Sequence, residues 1–188
     1  MNDLAHLREQ RGYTLIETMV VVCLIGILGA MAVPQVQASR SAMMGDGGMR
    51  VVMAWLNHAR QTAIAQRRQV EITFIGNNTI QLTRREIPNG ATVLATIQLE
   101  SGMQFGLVGG KPDTPDRFGN SSPTDFQNAA TILFGTDGAL VDATGAPLNG
   151  TVFLLAPGVE QTWRAVTVLG GTGRVSGYRW TGQTWTRA

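Results

Sequence analysis

Residues Arg11-Gly12-Tyr13-Thr14-Leu15-Ile16-Glu17 lead directly into TMVVVCLIGILGAMAV at residues 18–33, and this stretch decides how the rest of the chain is read. From Tyr13 to Val33 the run has 21 residues, which as a helix spans ~31 Å, about one hydrocarbon core. Apart from the weakly acidic Cys23, Glu17 is its one ionisable side chain. A carboxylate inside a membrane helix costs ~2–3.5 kcal/mol on insertion scales, more if unpaired, so it calls for a partner. No Lys or Arg lies within the run. The partner is therefore another chain or a terminal amine.

Three other readings fit the outline of this segment less well. A secretory signal peptide would also show Arg8 and Arg11, an apolar stretch and a small-residue site such as Ala30-Met31-Ala32, but a carboxylate three residues into the stretch disfavours an apolar signal core. A lipoprotein signal would need small residues before Cys23, where Val20, Val21 and Val22 stand instead. A plain membrane anchor leaves Glu17 unexplained.

Arg-Gly-Tyr-Thr-Leu-Ile-Glu ahead of an unbroken apolar helix resembles the type IV prepilin cleavage site. The resemblance implies that prepilin peptidase cuts between Gly12 and Tyr13 and that Tyr13 becomes N-methylated, Tyr standing where Phe is usual. It also implies that Glu17 pairs with the terminal amine of a neighbouring subunit during filament assembly. Pro34 falls where such proteins carry a helix-bending proline, although a proline also simply marks the end of a membrane segment by removing a backbone donor. The charges flanking the run, Arg8 and Arg11 before it and Arg40 and Arg50 after it, leave orientation open; leader-inside topology comes from the resemblance. The expected organisation is a leader at 1–12, a transmembrane half-helix at 13–33, a periplasmic amphipathic half at 34–68 and an antiparallel β domain at 69–188.

Beyond Pro34 the helical pattern weakens at Gly45, Gly47 and Gly48, each costing ~1 kcal/mol relative to Ala, so a bend or frayed stretch is expected there. It resumes with Val52, Leu56, Ala59 and Ala63 on one face, flanked by Met53 and Ile64, while Arg50, Asn57, Arg60, Arg67 and Arg68 lie elsewhere. That face should pack on a sheet. The period then changes to the strand-like runs VEITFI, TIQLTRRE, TVLATIQLE, ATILFG, TVFLLA, WRAVTVL, GRVSGYRW and TWTR, separated by turns such as Gly76-Asn77-Asn78 and Gly170-Gly171-Thr172-Gly173. Gly109 to Asn128, with three prolines, reads as a long surface loop. The fold class is α+β, a long helix leading into an antiparallel, sandwich-like β domain. Gly 23 and 15% charged residues suit a turn-rich β domain. The net charge of +2 specifies no partner. With Cys23 alone, no intramolecular disulfide forms.

The order of helix, strands, ILFGTDGAL and a closing VTVLGGTGRV resembles the GspH/FimT family of minor pilins and pseudopilins. That resemblance implies a structural subunit of a type IV pilus or type II secretion pseudopilus. It would act in filament initiation or near the tip, with other pilins and prepilin peptidase as partners. The chain would sit in the inner membrane as a single-pass protein, its C-terminal domain in the periplasm or on the extracellular filament.

Catalytic chemistry finds no foothold. Past the leader the single His is His58, and no Ser/His/Asp, Cys/His or zinc-ligand spacing exists, so no enzyme, cofactor or metal is implied. Gly170-Gly171-Thr172-Gly173 lacks a following helix to aim its amides at a phosphate. Asp113, Asp116 and Asp125 match no calcium loop. The stretch from Gln161 to Ala188 has Arg164, Arg174, Arg179 and Arg187, no acidic residue, and interleaved Trp163, Tyr178, Trp180 and Trp185. Two readings stand side by side: strand alternation with buried aromatics and solvated arginines, or a DNA surface that neutralises phosphates and stacks bases. Some FimT-like pilins are DNA receptors in natural transformation through a Gly-Arg-x-Arg motif. Here Gly173-Arg174-Val175-Ser176 keeps its first Arg, and Arg179 and Arg187 are the nearby candidates. A pilus-displayed DNA-binding subunit is thus the alternative function.

Overall fold

The structure, a computed structural model, describes residues 12–188; residues 1–11 of the expected leader, with Arg8, lie outside the described residues. The chain divides into two units, residues up to Ser39 and Arg40–Ala188.

One helical element, α1 (Leu15–Gln66), includes Pro34, which donates no backbone hydrogen bond. Its end has a definite cause. Arg67 adopts φ 48°, its N–H donates to Ile64 O and the Arg68 N–H to Ala63 O, the paired bonds of a Schellman cap.

The second unit contains eleven strands: β1 (Val70–Ile75), β2 (Thr79–Arg85), β3 (Ala91–Gln98), β4 (Gln104–Phe105), β5 (Thr124–Asp125), β6 (Ile132–Phe134), β7 (Leu140–Val141), β8 (Gly150–Ala156), β9 (Val159–Leu169), β10 (Arg174–Trp180) and β11 (Trp185–Arg187). They form an antiparallel sheet in the order β3-β2-β1-β6-β7 and a second in the order β11-β10-β9-β8-β4, with β5 also on β8. This is the expected α+β architecture. Met49, Val52, Leu56, Ala59 and Ala63 put one stripe of α1 into a core shared with Val70, Ile72, Ile80 and Leu82 of the first sheet and Val152, Leu154, Val166 and Val168 of the second.

Three expectations are corrected. Residues 45–48 are helical rather than frayed. Two of the three glycines serve close approach instead: a Cβ on Gly45 would stand 2.7 Å from Thr162 O, and one on Gly48 would press on Met103, whereas Gly47 faces open space. The 109–128 segment is more than a surface loop, since it carries β5 and buries Thr114, Asp125 and Phe126. Arg164, expected in solvent, is buried to 1% exposure.

The stretches ILFGTDGAL and VTVLGGTGRV lie against each other. The Leu140 N–H donates to Gly170 O at 2.8 Å. Arg60 donates to Gly138 O at 3.1 Å, and a Cβ on Gly173, whose φ is +62°, would collide with that carbonyl and with the Arg60 side chain.

Candidate functional site

Gly12, Tyr13 and Thr14 are non-helical, and α1 starts at Leu15 because Thr14 caps it. The Thr14 Oγ1 accepts from the Glu17 N–H at 3.2 Å, and the Thr14 carbonyl accepts from the Thr18 N–H. Thr14-x-x-Glu17 has the spacing of a capping box. A carboxylate in the first turn also complements the helix dipole. Even so, Glu17 makes no ion pair among the described residues. Around it stands an uncovered apolar surface: Leu15, Ile16, Met19, Val20, Ile25 and Leu28 are all more than half exposed. The helix is long and apolar enough to cross a membrane.

The C-terminal stretch is organised by strand alternation. On β10, Arg174, Ser176, Tyr178 and Trp180 share one face, and Val175, Gly177 and Arg179 the other. Gly177 lies where a Cβ would meet the sulfurs of Met49 and Met53 on α1, and Arg179 bonds Asp46 on α1. Arg187 pairs in register with Tyr178. Arg174 and Arg187 therefore stand on the Tyr178 side, Arg179 on the opposite one. Burial pushes the Tyr178 hydroxyl up, as does its bond to Asp116, against the nearby charges of Arg187 and Arg174.

The aromatic rings are engaged from within. Lys111 Nζ sits 5.3 Å from the centroid of Trp163 and 5.1 Å from that of Trp180. Trp185 Nε1 donates to Pro112 O and Trp180 Nε1 to Glu160, each at 2.9 Å. Tyr178 and Thr167 both donate to Asp116 Oδ2. The segment from Leu107 to Asp116 thus straps the outer face of β9, β10 and β11.

Across the inner face, Arg164 Nε donates to Asp46 Oδ1 at 2.7 Å. Its Nη1 reaches Gln161 O and Trp163 O at 2.8 Å, and its Nη2 reaches Ala42 O at 2.9 Å. Arg179 takes the second oxygen of Asp46 at 2.6 Å. Burial pushes the Asp46 carboxyl up, but the bonds and charges of Arg164 and Arg179 outweigh it and hold the group below the usual carboxylate range. Sequence reasoning missed this clasp. Its signal was present: Arg164 alternates with Val166 and Val168, which places it on the core face, and Asp46 is the one charged residue among the small residues 45–48.

Residues 7–33 match the family model described as the prokaryotic N-terminal methylation motif. Over 129 residues the chain is 30% identical to the type IV major fimbrial protein FimA of Dichelobacter nodosus, covering 66% of this chain and 76% of that protein. The chain belongs to the type IV pilin family. Among solved structures, it is similar to the type IV minor pilin FimU of Pseudomonas aeruginosa, with a TM-score of 0.48 and 15% identity, over 69% of this chain and 84% of FimU. It is also similar to the minor pseudopilin EpsH of the Vibrio cholerae type 2 secretion system, with a TM-score of 0.43 and 14% identity, over 77% of this chain and 94% of EpsH.

A pilin is a structural subunit, and the aspartates of the 109–128 segment are engaged within the fold. Asp113 accepts from the N–H groups of Thr114 and Gly119, Asp116 holds the strap, and Asp125 accepts from Ser121 and Gln127. Among the described residues no group of three or more His, Cys, Asp or Glu side chains is placed to hold a metal ion.

Proposed function

We propose that this pilin is a minor pilin or pseudopilin of the GspH/FimT type, processed by prepilin peptidase between Gly12 and Tyr13 and N-methylated at Tyr13. It is held in the inner membrane by its apolar half-helix before joining a type IV pilus or type II secretion pseudopilus, where it acts in initiation or near the tip. The observation that carries this reading is Glu17: a lone carboxylate in the first turn of an uncovered apolar helix, with no ion-pair partner among the described residues. A methylated terminal amine of a neighbouring subunit would fill that need. The minor-subunit assignment rests on the resemblance of ILFGTDGAL and VTVLGGTGRV to the GspH/FimT pattern, and Pro34 is the position at which the helix would bend.

The test is mass spectrometry of the mature chain together with filament or secretion assays. The mature chain should begin at methyl-Tyr13, Gly12→Ala should accumulate the uncut form, and Glu17→Lys should be processed yet fail to assemble. Normal assembly by both variants would sink the reading. The DNA-uptake alternative has less behind it, because Arg174 and Arg187 stand on the sheet face opposite Arg179, whose guanidinium is already paired.

A further inference from the structure

β3 is an edge strand of eight residues, ATVLATIQ, with no charged residue and no proline. Its inner side pairs with β2. Among the described residues no backbone group bonds its outer side. Such edges are normally blunted by lysines, prolines, shortness or a covering segment, because a free row of N–H and C=O groups templates another strand. Here the blunting device is the irregularity that leaves Leu94 without a partner between Val93 and Ala95. Val93 is 55% exposed.

The charges at the two ends of β3 differ. At the Ala91 end, Arg84 and Arg85 are matched by Glu86 and Glu71; Arg67 and Arg68 line the same groove as these two carboxylates and Asn89, Gly90 and Ala91, and they make no salt bridge among the described residues, although the charge of Arg68 is felt at Glu86, so arginines outnumber carboxylates at this end. Two residues past Gln98 stands Glu100, exposed and likewise unpaired. If an identical strand is laid antiparallel so that Ala91 opposes Gln98, Glu100 falls opposite Asn89, beside Arg67 and Arg68. A parallel arrangement would set arginine against arginine.

We propose that β3 is a pairing edge for a second copy of this chain, taken up antiparallel, with Arg67 and Arg68 of each copy meeting Glu100 of the other. The pairing is isologous, so each favourable contact occurs twice, and it is independent of how the amino terminus is processed.

Sedimentation of the full chain in detergent micelles tests it. The unaltered chain should dimerise. Glu100→Lys, and separately Arg67→Glu with Arg68→Glu, should each weaken the dimer about tenfold or more, since like charges are then brought together. Combining all three changes should restore it. Thr96→Lys, which charges the edge itself, should give monomer with the unfolding midpoint that the unaltered chain shows when diluted until its dimer dissociates. A chain that stays monomeric overturns the proposal. So does a dimer that ignores the charge reversals, which would be association through the apolar helix, or one that the triple variant fails to restore.

Discussion

Asp46 is the side chain on which two arginines of the second sheet converge, and Arg164 has no water to fall back on when that carboxylate is lost. Asp46→Ala should cost about 3 kcal/mol or more, because it leaves a buried guanidinium without its counter-charge; urea unfolding would measure it. The pH dependence has a definite sign. Folded Asp46 titrates below its unfolded value, which lies at about 3.9, so its contribution is complete above that value and is lost as pH falls through the folded one. Asp46→Asn should therefore flatten the acid limb of the stability curve; an unchanged slope of urea midpoint against pH would refute this. At Gly173 a methyl group meets both a left-handed backbone and the Gly138 carbonyl, so Gly173→Ala should cost ~2 kcal/mol. Periodicity locates a residue on a face but not the distance to a neighbour on another element. For that reason Gly45 read as a helix breaker, where the fold uses it as a point of close approach.

Among the elements, α1 stops on a strained residue, since Arg67 occupies the left-handed position that glycine usually takes. Arg67→Gly should stabilise the second unit by up to about 1 kcal/mol, read as a raised thermal midpoint. The strap depends on Lys111 between two indoles. Lys111→Ala should cost about 1 kcal/mol and shift tryptophan emission, with Lys111→Arg retaining most of the contact. The longer strands were legible because alternation over six or more residues leaves a pattern: VEITFI, TVFLLA and GRVSGYRW are β1, β8 and β10, with β8 beginning one residue earlier and β10 one residue later. β4, β5 and β7 have two residues each, too few to show any period. They exist only because neighbouring strands offer partners.

At the scale of the whole molecule, the amino-terminal segment was the most legible part, because a bilayer-length apolar run holding one carboxylate has few physical explanations. The strap was not legible: it is held by a lysine, a proline carbonyl and an aspartate that become neighbours only after the sheets have formed. The proposed cleavage after Gly12 would take away Arg8 and Arg11 together with Asp3 and Glu9, leaving 13 basic and 11 acidic residues and an unchanged formal charge of +2. Processing should therefore appear as a mass change with almost no displacement on isoelectric focusing.

Lys111 is the only lysine in the chain. Amine-directed crosslinkers would thus find one side chain, tucked between two rings, and a terminus whose own amine is methylated in the proposed mature form. Neighbours of this protein in any assembly are better mapped with carboxyl- or arginine-directed reagents, for which Glu100, Arg67 and Arg174 offer exposed targets.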